Sequence, residues 1–403
     1  MRDPLETVQL TESRRGNVVV LTVLLALLGL LFVVSPWVAA IIVGLVVMVM
    51  LHEAGHLLAA RWAGMKATEY FLGFGPRLWS FRRGETEYGV KAIPAGGYVR
   101  IIGMSNLEEV DPADEDRTFR RATTGRRLVV ILAGVTVNAL LALVLFTVAI
   151  AGQGRIYGGP TTTVDSVVAD SAARDAGLRP GDRIVAVDGE RLAGWNGLKR
   201  AIESHGGVET RLTVERGGRT VELTATPRTE DGQGFLGIAP APSERRIGLV
   251  AAVPEGLRAM GDVTVGTAQG IGRIFTPSGV QQYSRNFTGS APAPGSVADQ
   301  QRPRSLIGIV DQGSSLVAGD VWALLWLLGA VSLALALFNL VPLLPFDGGH
   351  AVVVVYEAVA SRVRGRTVRV DFKKLMPVTV VVLAVFVTFG LSAMLLDLRD
   401  LAR

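Results

Sequence analysis

The 403-residue chain contains no cysteine. Disulfides and thiolate metal sites are thereby excluded, and any metal must be held by histidine and carboxylate. Histidine is itself scarce, with four in the whole chain. Charge is sparse as well: Asp, Glu, Lys and Arg make up 19% of the residues, against 49% hydrophobic. That balance excludes a disordered chain and departs from an ordinary soluble enzyme. It suits a chain that places much of its length in a lipid bilayer. The net charge is +5, yet the Arg and Lys residues flank apolar runs. The excess therefore reads as membrane topology, with no direct nucleic-acid partner.

What is abundant is long apolar sequence. Five runs stand out: Val18–Val34, Trp37–Ala60, Val129–Ala151, Val321–Phe346 and Val378–Leu396. A helix needs about 20 residues to cross the hydrocarbon core, and bare backbone polar groups are not tolerated there, so each run is read as a transmembrane helix. Val18–Val34 is longer than a signal-peptide core of about 7–15 residues, and is read as an uncleaved span joined to the next through Ser35-Pro36. Segment 61–127 carries 12 Lys/Arg against 9 Asp/Glu, and segment 361–376 carries six against the single Asp371. By the positive-inside rule both are cytoplasmic, like the N-terminus behind Arg14 and Arg15. Five crossings then put the long region 152–320 and the C-terminus outside.

The second run contains His52-Glu53-Ala54-Gly55-His56. On a helix, residues i and i+4 share a face, so both imidazoles can reach one ion. Glu53 projects beside them as a candidate general base for metal-activated water. Ionisable residues at membrane depth cost about 2.5–3.5 kcal/mol each, so three together point to function rather than to satisfied core groups. A catalytic zinc takes three protein ligands. The candidates for the third are Asp347, which closes the fourth run in Asn339-Leu-Val-Pro342-Leu-Leu-Pro345-Phe346-Asp347-Gly348-Gly349-His350, then His350, and Glu69 in a polar loop. Pro342 and Pro345 break the helix, and Asp-Gly-Gly is expected to turn and present the carboxylate at membrane depth. Asp347 is preferred.

His-Glu-x-x-His in an early membrane helix, a PDZ-like insert, and Asn-x-x-Pro-x-x-x-x-Asp-Gly in a late one resemble the site-2 protease family of intramembrane zinc metalloproteases, in its bacterial PDZ-containing branch. The resemblance covers residues 36–403. It implies zinc as cofactor, held by His52, His56 and Asp347. It also implies that Glu53 activates the attacking water and that Asn339 helps position the substrate backbone. The implied substrate is a single-span membrane protein, such as an anti-sigma factor already shortened outside by another protease. Two departures are that Phe346 stands where Leu is common before the Asp, and that Val18–Val34 precedes the shared core.

A helical substrate hides its peptide bonds and must be held extended, which an exposed strand edge can do. Segment 70–103 supplies candidate strands, in Phe71-Leu72-Gly73-Phe74-Gly75-Pro76, Leu78–Phe81 and Glu87–Lys91, followed by Gly96-Gly97-Tyr98-Val99. It resembles the family's membrane-dipping β-hairpin and Gly-rich substrate loop, so Gly73, Gly75, Gly96 and Gly97 join Asn339 as candidate substrate-binding residues. The competing reading is an aromatic interfacial hairpin without substrate contact. Segment 106–127 reads as a surface connector.

Segment 161–240 reads as a small α+β unit: strands at Val164–Val168, Arg183–Val187, Arg211–Glu215 and Thr220–Thr226, helices at Ser171–Ala176 and Trp195–Ser204, and turns at Leu178–Asp182, Asp188-Gly189 and Gly217-Gly218. Ala176-Gly177-Leu178-x-Pro180-Gly181-Asp182 is similar to PDZ domains, and Gly234–Ile238 resembles their carboxylate-binding loop. Peptide capture and exclusion of bulky substrates both remain open. Gly256–Phe275 reads as a juxtamembrane helix and Asn286–Arg304 as a linker.

The expected fold is thus a polytopic α-helical membrane protein of about five transmembrane helices, with a membrane-associated β-hairpin region and an inserted α+β PDZ-like extracytoplasmic domain. The expected divisions are 1–35 (cytoplasmic N-terminus and extra span), 36–64 (His-Glu-x-x-His span), 65–127 (β region and connector), 128–152 (span), 153–242 (PDZ-like domain), 243–319 (juxtamembrane segment and linker), 320–360 (span with the Asp347 motif), 361–376 (basic loop) and 377–403 (last span and tail). The expected location is the plasma (inner) membrane, multi-pass, with the site toward the cytoplasmic side. The rival enzyme is a membrane metalloprotease trimming peptides at the cytoplasmic face. The rival of another class is a PDZ-bearing scaffold with a structural metal.

Overall fold

The computed structural model describes residues 14–230, 232–274, 276–288 and 304–401. It divides into two units, one formed by 1–152 with 249–403 and the other by 153–248. Most of the expected linker 286–304 lies outside the described residues.

In the first unit, α1 (Arg14–Val34) and α2 (Pro36–Trp62) are separated at Ser35, with Pro36 in the first turn of α2, where its missing N–H costs nothing. Strands β1 (Ala67–Arg83) and β2 (Thr86–Ile101) follow. After two short 3-10 turns comes α3 (Thr124–Gln153).

The second unit contains β3 (Arg155–Val167), α4 (Ala172–Asp175), β4 (Arg183–Val187), β5 (Glu190–Arg191), α5 (Trp195–Glu203), β6 (Thr210–Arg216), β7 (Arg219–Ala225), β8 (Arg228–Glu230), β9 (Gln233–Phe235) and β10 (Ile238–Arg246). Its main sheet runs β10-β3-β4-β6-β7, with β5 on β4, and β8 pairs with β9. Val164, Ala173, Ile184, Val187, Leu198, Leu212 and Val214 form its core. Asp182 is buried there and accepts from Arg216 Nε (2.7 Å), Arg216 Nη2 (2.8 Å) and the Arg179 amide (2.8 Å).

The first unit resumes with α6 (Leu249–Ile274), α7 (Pro277–Thr288), α8 (Leu306–Val317), α9 (Val321–Asn339), α10 (Asp347–Arg364) and α11 (Phe372–Leu401). Asp320 caps α9, accepting from the Trp322 amide at 2.8 Å, and Gly365 ends α10 in the left-handed region. Helices α1, α2, α3, α9 and α11 are long and apolar enough to cross a membrane, which makes this a multi-pass membrane protein carrying β-sheet as well.

Among the described residues, three apolar clusters hold the first unit. Ile41 and Met48 of α2 pack on Val317, Leu324 and Leu328. Ala142 and Phe146 of α3 meet Ala259 and Leu333. Leu57, Ala60, Ala67, Ile101, Val130, Ile131 and Val354 join α2, the sheet, α3 and α10. α1 lies mostly outside these clusters. Its Asn17 Nδ2 donates to the Arg77 carbonyl at 2.9 Å.

Strands β1 and β2 each bend, so that two strands make four antiparallel segments. Residues 67–74 pair with both 87–93 and 97–101, while 77–83 pair back on 86–91. Gly73 (φ 86°) and Gly75 (φ 82°), next to Pro76, allow the bend in β1, since both lie in the left-handed region. The outer segments of this sheet are 97–101 and 77–83.

Three expectations need correction. Gly96 and Gly97 are not in a loop: they belong to β2, which runs through to Ile101, because the 97–101 segment finds a partner in 67–72. Asp347 is not in a turn but opens α10, since Gly348 and Gly349 let that helix start against the 340–344 backbone. The connector 106–127 ends in a buried residue. Arg127, 5% exposed, donates to Glu357 at 2.7 Å, and its guanidinium lies over Phe119 at 4.8 Å. Glu357, 4% exposed, also accepts from Arg369 Nη1 at 3.0 Å and the Val370 amide at 2.8 Å.

Candidate metal centre

α2 carries His52 and His56 one helical turn apart, both buried. α9 stops at Asn339, and the proline-containing segment 340–346 leads to Asp347 at the start of α10. A Cβ on Gly349 would come within 2.5 Å of the Leu343 and Leu344 backbone, so only glycine permits this close start. The N-terminal end of a helix favours a carboxylate.

These elements bring three ligand atoms together. His52 Nε2 and His56 Nε2 each lie 3.3 Å from Asp347 Oδ2 and 3.2 Å from one another. Asp347 Oδ2 is buried and has no hydrogen-bond partner of acceptable geometry. Among the described residues these three are the His/Asp/Glu group whose ligand atoms converge. The triangle has the size a tetrahedral zinc needs: metal–ligand distances of about 2.0–2.1 Å separate neighbouring ligand atoms by about 3.3–3.4 Å. An orphaned carboxylate oxygen facing two imidazole nitrogens at that spacing fits a divalent cation with a nitrogen–oxygen donor set.

α3 forms the wall behind the imidazoles. His56 Nδ1 lies 2.8 Å from the Val130 carbonyl, which requires the proton on Nδ1 and leaves the Nε2 lone pair free. Gly134 faces both rings. A Cβ there would lie 2.6 Å from His52 Cε1 and 2.7 Å from its Nε2, and closer still to His56 Nε2. Asn138 sits beside His52, with Nδ2 3.2 Å from His52 Nδ1. Neither Gly134 nor Asn138 was singled out from sequence. The available signal was a single carboxamide inside the apolar run Val129–Ala151, a position where polar groups mark function.

Glu53 is half-buried, one residue from His52 on α2. A Cβ on Gly97 would lie 3.3 Å from Glu53 Cγ and 3.0 Å from Met50 Sδ, so the outer segment 97–101 runs past the carboxylate. Tyr70 Oη anchors the sheet to α2 by donating to the Met50 carbonyl at 2.6 Å. The other candidate glycines sit further along the sheet: Gly73 and Gly75 face Ile93, and Gly96 faces the Phe74 ring. Asn339 is half-buried at the last position of α9. The other candidate ligands, Glu69 and His350, are not in that group. Glu69 is engaged by Tyr98 and Arg100, and His350 lies beside Phe372 with ring centroids 6.2 Å apart.

Comparison with known proteins places the chain in a family. Peptidase family M50 matches residues 40–387, so α1 lies outside the matched region. The chain is 34% identical over 393 residues to the zinc metalloprotease Rip1 of Mycobacterium tuberculosis (strain ATCC 25618 / H37Rv), covering 88% of this chain and 95% of that protein. It is 32% identical over 372 residues to the metalloprotease MmpA of Caulobacter vibrioides, covering 84% and 88%. The chain belongs to peptidase family M50, the site-2 protease family of zinc-dependent metalloproteases.

Proposed function

We propose that this protein is an intramembrane endopeptidase that hydrolyses a peptide bond within or near the transmembrane segment of a single-span membrane protein. The observation that carries the proposal is the ligand triangle, two corners of which share α2 with Glu53 while Asp347 supplies the third from α10, with the outer sheet segment 97–101 passing the Glu53 carboxylate. His52, His56 and Asp347 would hold the zinc. The ion, when bound, supplies Lewis-acid activation of water and of the scissile carbonyl.

The chain's own residues do the rest. Glu53 takes a proton from the attacking water as the new C–O bond forms at the carbonyl carbon. It returns that proton to the leaving nitrogen as the C–N bond breaks. The water is consumed, and a carboxylic acid and an amine result. The missing side chain at Gly97 lets the outer strand pass close to Glu53, and the free edge of that strand takes the substrate as an added, extended strand. Gly73, Gly75 and Gly96 shape the sheet that presents this edge, and Asn339 orients the substrate backbone from the end of α9. His52 lies nine residues before Arg61, about 13–14 Å along a helix axis, which supports a site inside the lipid toward the cytoplasmic side.

In this reading the second unit is the extracytoplasmic PDZ-like domain of a plasma (inner) membrane protease. It reads or screens substrates already shortened outside. An anti-sigma factor fits, since cutting its span frees a cytoplasmic fragment. The test is a co-expressed single-span reporter with wild-type enzyme and the Glu53→Gln variant. Cleavage within the span by wild type, its loss in Glu53→Gln and retained zinc support the proposal. Unchanged processing by the variant favours a scaffold with a structural metal.

A further inference from the structure

We infer that Asn138 is a positioning residue whose side-chain oxygen accepts a hydrogen bond from Nδ1–H of His52, fixing the tautomer that offers Nε2 to the ion. The inference rests on the metal reading above and adds a residue to it. Asn138 is fully buried (0% exposed), and its Oδ1 is a buried oxygen with no partner. Its Nδ2 instead faces His52 Nδ1 at 3.2 Å.

A half-turn of the amide exchanges oxygen and nitrogen with almost no change in shape, so the hydrogen-bond network must choose between the two. If Nδ2 donates to Nδ1, the neutral imidazole carries its proton on Nε2. That proton would point into the triangle, at Asp347 Oδ2 and His56 Nε2, and would close one corner of the site to a metal. If Oδ1 faces the ring, Nδ1 carries the proton and Nε2 is free. The exchange places the NH2 where the oxygen has no partner. The need for a free Nε2, rather than the orphan count, therefore decides the orientation.

The partner ligand supports the assignment. His56 is fixed in the same sense, its Nδ1 paired with an obligate acceptor, the Val130 carbonyl, at 2.8 Å. Val130, Gly134 and Asn138 are spaced four residues apart on α3, so one helix face supplies two acceptors and, between them, the gap the rings occupy. Asn138 is itself held in place: Ser332 Oγ of α9 donates to its backbone carbonyl at 2.9 Å, with both residues fully buried. The face of α3 that orients the imidazoles is thus tied to the helix leading to Asp347.

The test uses the purified full-length protein in lipid nanodiscs and measures zinc affinity by chelator competition for wild type, Asn138→Leu, Asn138→Asp and His52→Ala. Leu keeps the branched shape, at a larger volume, and removes the acceptor, whereas Asp keeps an acceptor. Loss of such an outer hydrogen bond typically weakens metal binding by about 10–100-fold. Asn138→Leu is expected to lose that factor and Asn138→Asp to stay within a few-fold of wild type. Equal losses in both would reduce Asn138 to packing, and wild-type affinity in Asn138→Leu would overturn the inference. Should Asn138→Leu fail to fold, nitrogen NMR of the metal-free wild type decides, since only four histidines contribute signals. Proton on Nδ1 of His52 supports the assignment, and proton on Nε2 refutes it. His52→Ala separates the two levels: retained zinc there would sink the ligand triangle itself, independently of Asn138.

Discussion

Substituting Gly134 by alanine adds one methyl group to α3 and should cost the protein its metal. The added Cβ would sit 2.6 Å from His52 Cε1 and 2.7 Å from His52 Nε2, and nearer still to His56 Nε2. Ordinary carbon contacts begin near 3.5 Å. The rings, or α3 itself, must therefore retreat by about 1 Å. Ligand positions around zinc tolerate about 0.2 Å. The expected result is zinc affinity lower by at least 10–100-fold, or about 1.4–2.7 kcal/mol, with cleavage of a membrane reporter falling in parallel. Global stability should move far less. Overpacking costs about 1–3 kcal/mol, while replacing a mid-helix glycine by alanine returns about 1 kcal/mol. The assay pairs zinc content after dialysis with the melting temperature. Gly125→Ala is the control in the same helix, because no atom lies within 4 Å of its added Cβ. Normal zinc and normal cleavage in Gly134→Ala would refute the placement of α3 against the imidazoles.

Other perturbations separate the remaining parts. Gly97→Val should lower kcat/KM for a reporter by at least tenfold while zinc content stays normal, because its side chain would enter the space beside Met50 and Glu53; unchanged kinetics would remove the 97–101 edge from substrate binding. Glu357→Ala leaves the Arg127 guanidinium buried without its carboxylate and should cost about 3–5 kcal/mol, with the Arg127→Met/Glu357→Leu pair recovering most of it, as read by denaturant midpoints; an additive double variant would contradict a paired role. In the second unit, the Arg216 guanidinium holds the Asp182 carboxyl below the usual carboxylate range, against the opposing effect of burial. A depressed folded value means the contribution is present above the unfolded pKa, about 3.9, and is lost as pH falls through the folded one. Arg216→Met should therefore shift acid-induced proteolytic cleavage within 153–248 of the full-length protein to higher pH; no shift would show that the pair does not set acid stability.

The apolar runs made the five spans legible, because backbone groups in lipid leave the helix as the one choice for segments of that length. The His52–His56 pair was legible for the same geometric reason, a shared helix face. Asp347 was reachable through its motif, but its place at the opening of α10 was not, since that depends on how Gly348 and Gly349 nest against residues 340–344. Gly134 and Asn138 acquire their roles only when α3 is set against α2 at one axial register, and a single sequence does not carry that register. The burial of Arg127 was hidden likewise, because its partner Glu357 lies 230 residues away. The double bend of β1 and β2 was partly visible in Gly73, Gly75 and Pro76, yet the pairing of 67–72 with 97–101 was not, and it turned an expected loop into the strand beside Glu53.

The most direct test is zinc K-edge X-ray absorption on the purified full-length protein beside its Asp347→Ala variant. The account predicts bound zinc with two imidazole nitrogens at about 2.0–2.1 Å and carboxylate oxygen at about 2.0–2.2 Å, and loss of the ion or of the carboxylate scatterer in the variant. A wild-type protein that holds no zinc, or a variant with the same spectrum as wild type, would contradict it.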